Sequence, residues 1–152
     1  MLHLLIALDA DRYALDAGAV VEVVPLVALR AIPQAPRGVA GILNYRGTPV
    51  PVIDLCALAL GRPARDRLTT RIVLVDYPDR HGTAHVLGLI AERVEGTLRR
   101  EPGAFRPYGI ANADTPYLGP VVEDAQGLIQ RVEIAQLLPD VVQRVLFPEL
   151  AA

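Results

Sequence analysis

The 152-residue sequence contains no serine, no lysine and no tryptophan. These absences exclude a serine nucleophile, a Schiff-base lysine and the lysine of a phosphate-binding loop. All 15 basic side chains are therefore arginine, and against 17 acidic ones they leave a formal net charge of −2. That balance gives no electrostatic reason to bind nucleic acid. The single cysteine, Cys56, allows no internal disulfide and points to a reducing compartment. No apolar run reaches the roughly 18 residues of a membrane-spanning helix. The apolar start, residues 1–9, lacks the basic n-region and small-residue cleavage site of a signal peptide. A cytoplasmic location without direct membrane insertion is expected.

What is present suits one folded domain, since 52% of the residues are hydrophobic and 21% charged. The apolar residues are mostly Val, Leu and Ile, and 13 prolines and 12 glycines punctuate them, which favours short strands and turns over a helical bundle. Residues 4–8, a turn at Asp9-Ala10-Asp11 and residues 13–15 read as a hairpin. Residues 20–24 form a strand that Pro25 stops, having no N–H to donate. A loop bracketed by Pro33 and Pro36 leads through the bend Gly38-Val39-Ala40-Gly41 to residues 42–45, a tight Arg46-Gly47-Thr48 turn and residues 50–55. Pro49 and Pro51 mark that last strand as an edge, or as one with a free N–H side. Residues 58–60 form a helical turn ended by Gly61 and Pro63.

The charged loop 62–67 divides the chain. The second half repeats the hairpin style with strands at 71–75, 85–91 and 94–98, a long surface loop at 101–117, and a closing hairpin over 118–123 and 128–134. Residues 140–146 carry valines and leucine at helical spacing. About ten short strands suggest barrels or a sandwich, and the charged divider favours two small packed barrels. Residues 72–75 and 86–90 are apolar on both faces, so each needs cover on its second side. With several such strands, part of that cover is expected from a partner.

No catalytic set is legible. His81 and His85 have the spacing of a zinc pair, yet Gly82 replaces the metalloprotease glutamate, and the preceding Pro78-Asp79 predicts a turn in which the two do not share a helical face. Cys56 sits among Leu55, Ala57 and Leu58, as a buried structural thiol does. Asp54 and Asp76 end apolar strands, where a carboxylate caps a turn. No catalytic residue, metal site or cofactor is predicted. Two rival classes stand beside a binding function. One is a small β-barrel that binds nucleic acid, which a steep loss of affinity with salt would reveal; the other is a small hydrolase or metal enzyme using His81, His85 and Cys56.

Residues 33–55, with Gly41-Ile42-Leu43-Asn44-Tyr45-Arg46-Gly47 followed by Pro51-Val52-Ile53-Asp54-Leu55, resemble the signature of the CheW coupling-protein family. Tyr13-Ala14-Leu15-Asp16 and Val20-Val21-Glu22-Val23 resemble that family's opening hairpin and its Val-x-Glu element. Residues 86–94 are similar to its second-barrel strand pair, and 117–138 to its closing hairpin and terminal Leu-Leu. The resemblance runs in order along nearly the whole chain. It departs at Tyr45, where an aliphatic residue is usual, at Cys56, where many members carry arginine, and at Gln130-Arg131, within a strand that is commonly apolar.

The resemblance implies an all-β, CheW-like fold of two packed five-stranded SH3-like barrels with short helices, a single domain over 1–152 with approximate halves at 12–66 and 67–138 and a helical tail at 139–152. It implies a non-catalytic adaptor between the cytoplasmic tip of methyl-accepting chemoreceptors and the regulatory domain of a CheA-type histidine kinase, associated with membrane-bound receptor arrays. Carried over by position, the receptor-binding residues are Val20, Glu22, Gly41, Asn44 and Arg46. The kinase side is expected on the apolar strand around Val86, Leu87 and Leu89. The chain also resembles the coupling proteins of Wsp-type surface-sensing pathways.

Overall fold

A computed structural model describes residues 1–108 and 113–148. Ten strands run in chain order: β1 (Leu2–Leu8), β2 (Asp11–Asp16), β3 (Val20–Pro25), β4 (Val39–Tyr45), β5 (Thr48–Asp54), β6 (Arg71–Pro78), β7 (Ala84–Ala91), β8 (Arg93–Arg99), β9 (Leu118–Asp124) and β10 (Gly127–Val132). Two short helices, α1 (Leu55–Leu60) and α2 (Asp140–Leu146), join them. Asp54 starts α1, its side chain accepting hydrogen bonds from the Cys56 and Ala57 N–H groups, and Gly61 ends it in the left-handed conformation.

The strands form two five-stranded sheets, ordered β8-β1-β2-β10-β9 and β3-β6-β7-β5-β4. Each sheet closes on itself through the chain that leaves its first edge strand. Arg30, beyond β3, bridges to Ile42 on β4, and Arg106, beyond β8, bridges to Val121 on β9. The two barrels follow one plan, with three antiparallel pairs and a single parallel one, β10 with β2 and β5 with β7. Both edge strands carry a register shift at matching places, between Val20 and Glu22 on β3 and beside Leu5 and Ile6 on β8.

The expected halves at 12–66 and 67–138 therefore do not coincide with the barrels. β1–β5 and β6–β10 are repeats of one unit, and each barrel takes three strands from one repeat and two from the other. A trace of the repeat persists in sequence, where Asp54-Leu55-Cys56-Ala57-Leu58 after β5 is echoed by Glu133-Ile134-Ala135-Gln136-Leu137 after β10.

This exchange explains the doubly apolar strands. Ile72 and Leu74 of β6 face the interior of the second barrel with Val50, Val52 and Ile90. Val73, Val75 and Tyr77 face the other way, into a larger core between the barrels that also holds Leu87, Leu89, Ile6, Leu15 and Ile53. The first barrel has its own interior, with Leu5, Ala14, Phe105, Val122 and Ile129. The chain itself thus covers both faces of β6 and β7, and the partner cover expected there is not needed.

One open alternative is decided and one smaller expectation is corrected. β5 is not an edge strand; Pro49 and Pro51 lie before Val52, where its parallel pairing with β7 begins, so their missing N–H groups interrupt only a free side. The stretch 101–117 is more than a surface loop, because Phe105 is buried in the first barrel and Arg106 closes it; residues 109–112 lie outside the described part.

Candidate docking surface

The β4–β5 hairpin turns on Arg46 (φ 51°) and Gly47 (φ 84°). Two consecutive positive φ values give the twist that joins antiparallel strands tightly, and an arginine adopts this conformation at some cost. Asn44 fixes the turn, its Oδ1 accepting from the Gly47 N–H at 2.9 Å. Asn44 is therefore a geometric element first.

Across the barrel seam stands Glu22 on β3. Its Oε2 accepts a hydrogen bond from the Tyr45 hydroxyl and lies 3.4 Å from Nη2 of Arg46. The bond to Glu22 pushes the Tyr45 phenol above its usual pKa. The Arg46 guanidinium also rests 5.1 Å from the Tyr45 ring centre, a cation–π contact. The Arg46 side chain is 75% exposed, so its ion pair with Glu22 is weak. On the outward side of β3, Val21 and Val23 are 44% and 37% exposed.

Of the five receptor-side candidates, Glu22, Asn44 and Arg46 meet at this surface. Val20 lies beneath it, half-buried against the inter-barrel core and paired with Val75. Gly41 is buried, and the close approach it permits is internal. A Cβ there would stand 2.6 Å from the Arg30 carbonyl oxygen and 3.0 Å from the Leu29 Cβ. Gly41 thus lets the 29–30 segment cross β4 and close the barrel, and it is not a contact for a partner's helix. Reasoning from sequence missed the Tyr45 clamp and the apolar pair Val21 and Val23. The alternation of residues 20–25 could have found the valines, since residues 21 and 23 share one face of a strand.

The kinase-side expectation is corrected more strongly. Leu87 and Leu89 have no exposed surface and sit in the core between the barrels. They cannot touch a partner without unfolding. Val86 is half-buried and packs against the second barrel's interior.

The other groups weighed for chemistry take structural posts. His85 pairs with Asp79 at 2.7 Å and stacks on Phe147, while His81 is exposed in the turn. Cys56 is fully buried, and burial pushes its thiol up to about 12. Among the described residues, no three His, Cys, Asp or Glu side chains are placed to hold a metal ion, and no helix is long and apolar enough to cross a membrane.

Two interlocked barrels, one of which carries a rigid hairpin that leaves an arginine in water, define a two-barrel β domain. A family model for the CheW-like domain matches residues 2–142. The chain belongs to that family of chemotaxis adaptor and scaffold domains. Its fold is similar to the crystal structure of the scaffolding protein TtCheW from Thermoanaerobacter tengcongensis, with a TM-score of 0.80, 24% identity, and coverage of 91% of this chain and 87% of that one. No curated protein matches the chain.

Proposed function

We propose that this chain is a non-catalytic adaptor that couples methyl-accepting chemoreceptors to the regulatory domain of a CheA-type histidine kinase, on the cytoplasmic side of receptor arrays. Two surfaces binding two proteins link receptor state to kinase conformation through coupled binding equilibria. The receptor tip is assigned to the surface formed by Glu22, Asn44, Tyr45 and Arg46. The kinase is assigned to a different face, which excludes the buried Leu87 and Leu89.

The observation that carries this reading is the loosely held arginine. Arg46 is fixed at its backbone by the hairpin, yet its side chain is mostly in water and only weakly paired. It can leave Glu22 for an acidic group on a partner, because the Tyr45 hydroxyl keeps Glu22 hydrogen-bonded when it does. A rigid base with a mobile charged head suits a reversible contact.

The test is binding of the purified chain to a receptor cytoplasmic fragment. Arg46→Glu should lower the affinity at least about tenfold, in the range of a lost charge-assisted contact, while the thermal melt stays within about a degree of the parent's. Full binding by the variant overturns the site assignment.

A further inference from the structure

The first barrel holds a titratable group that the docking surface does not use. His3 and Leu5 lie on the same face of β1, two residues apart. Leu5 packs inside the first barrel, which places His3 toward one end of that interior. The imidazole is 0% exposed. Neither Nδ1 nor Nε2 makes a well-formed hydrogen bond, although the Leu98 backbone lies near enough to favour the protonated ring. Its ring is held instead by Phe105, with centroids 5.0 Å apart and planes tilted by 52°. Buried polar groups are nearly always paired, so an imidazole with both nitrogens unserved needs an explanation.

The surroundings decide which protonation state fits. A neutral imidazole leaves one N–H and one lone pair unpaired; an imidazolium adds a second N–H and a full charge, which a dry site accommodates far less well. The charged groups that face it come from three strands. From β10, Arg131 repels a cation, and its guanidinium lies 6.0 Å from the Phe105 ring centre. From β1 itself, the Met1 amino group also repels. From β2, Asp16 stands directly opposite His3 and attracts, but its Oδ1 already accepts from the Gly18 N–H. On β8 the facing residue is Leu98, whose side chain is apolar and whose backbone favours the protonated ring. Burial is the largest influence and, with Arg131, sets the imidazole below its ordinary pKa.

We propose that His3 is an acid-sensitive plug of the first barrel, accommodated only while neutral, whose protonation releases β1 from β8 and loosens the closure through Phe105 and Arg106. The position makes the release consequential. β1 is the second strand of its sheet, paired with β8 on one side and β2 on the other, and its opposite face carries Ile6 and Leu8 into the core shared with the second barrel.

The sign follows from linkage. The unfolded chain takes up a proton on His3 near the ordinary value of about 6.5, whereas the folded chain resists it. Stability is therefore fully present above that value and falls as the pH drops through it, up to tenfold in the opening equilibrium per pH unit. It levels off only below the folded pKa.

The experiment uses the intact chain, whose three histidines can be followed individually by NMR. Between pH 7.5 and 5.0 the His3 ring should keep its neutral signals in the native state. Over the same range, amide exchange in β1 and β8, corrected for intrinsic rates, should quicken by about tenfold per pH unit below about 6.5. In His3→Phe, which keeps the ring packing and cannot protonate, that dependence should vanish. The proposal is overturned if native His3 titrates at or above the ordinary imidazole value of about 6.5, which needs no variant to observe. It is equally overturned if His3→Phe shows the parent's pH dependence in β1 and β8.

Discussion

Glu92 is the most heavily used carboxylate in the structure, and replacing it tests how the barrels are tied together. It is 6% exposed. Oε1 accepts the Asp9 N–H from the β1–β2 turn at 2.7 Å, and Oε2 accepts the Arg65 N–H from the 62–67 loop at 2.8 Å. The Arg62 guanidinium grips both oxygens at 3.0 and 3.1 Å. Arg62, helped by the two backbone N–H groups and opposed by burial, lowers the carboxyl from 4.5 to about 2. At about 1.4 kcal/mol per unit, that difference amounts to about 3 kcal/mol of folding stability at neutral pH. Because the folded pKa lies below the unfolded one, this contribution is complete above pH 4.5 and disappears as the pH falls towards 2. Glu92→Gln removes the anion and leaves Arg62 with the Pro63 carbonyl and the longer pair to Asp9 at 3.8 Å. The variant should lose about 2–3 kcal/mol at pH 7, or roughly 5–10 °C in melting temperature for a chain of this size. The gap between variant and parent should narrow on acidification below pH 4.5. Equal melting temperatures at pH 7, or a gap that stays constant down to pH 2.5, would refute the reasoning.

Two further predictions concern residues whose posts the fold redefines. Gly41→Ala would set a Cβ 2.6 Å from the Arg30 carbonyl oxygen, so the barrel closure must shift at a cost of about 1–3 kcal/mol; thermal melting should show a drop of several degrees, and an unchanged melt would mean that no such crossing exists. Cys56, buried with its thiol near 12, should be silent to an aromatic disulfide reagent at pH 8 in the native state and react fully in denaturant. Prompt native reaction would show the α1 region to be open.

Local structure was legible because turn chemistry is local. Asp9-Ala10-Asp11, Arg46-Gly47 and Gly61 stand where strands or helices end, and all ten strands lie where apolar runs between such residues predict them. The capping role of Asp54 was readable for the same reason. What covers a strand is not local. An apolar run such as 86–90 states that both faces are dry, but a partner protein and a second barrel of the same chain are equally good at keeping them dry. Only the parallel pairings of β7 with β5 and of β2 with β10 decide it, and these join residues far apart in the sequence. Gly41 shows the same limit at one residue. Its need for space was visible, while the identity of its neighbour, the 29–30 backbone, depended on how the sheet closes.

The repeated unit also shows that the two barrels hold their seam arginines differently. In the first barrel the seam is locked by Arg12, whose two terminal nitrogens reach both Asp124 oxygens at 2.7 Å and whose Nε lies 3.6 Å from Glu95. All three side chains are largely buried, and Arg12 holds Asp124 at about 2. In the second barrel the seam is held by the neutral Tyr45 hydroxyl on Glu22, and the arginine beside it is left in water. An arginine that closes its own barrel with a bidentate pair is held far more firmly than one left in water. Tyr45, the residue by which this chain departs from its family's usual aliphatic, takes over the closing task and so frees Arg46. Equivalent seams thus differ in what holds them, a bidentate Arg12–Asp124 pair in one barrel and the Tyr45 hydroxyl on Glu22 in the other, and the second leaves its arginine in water.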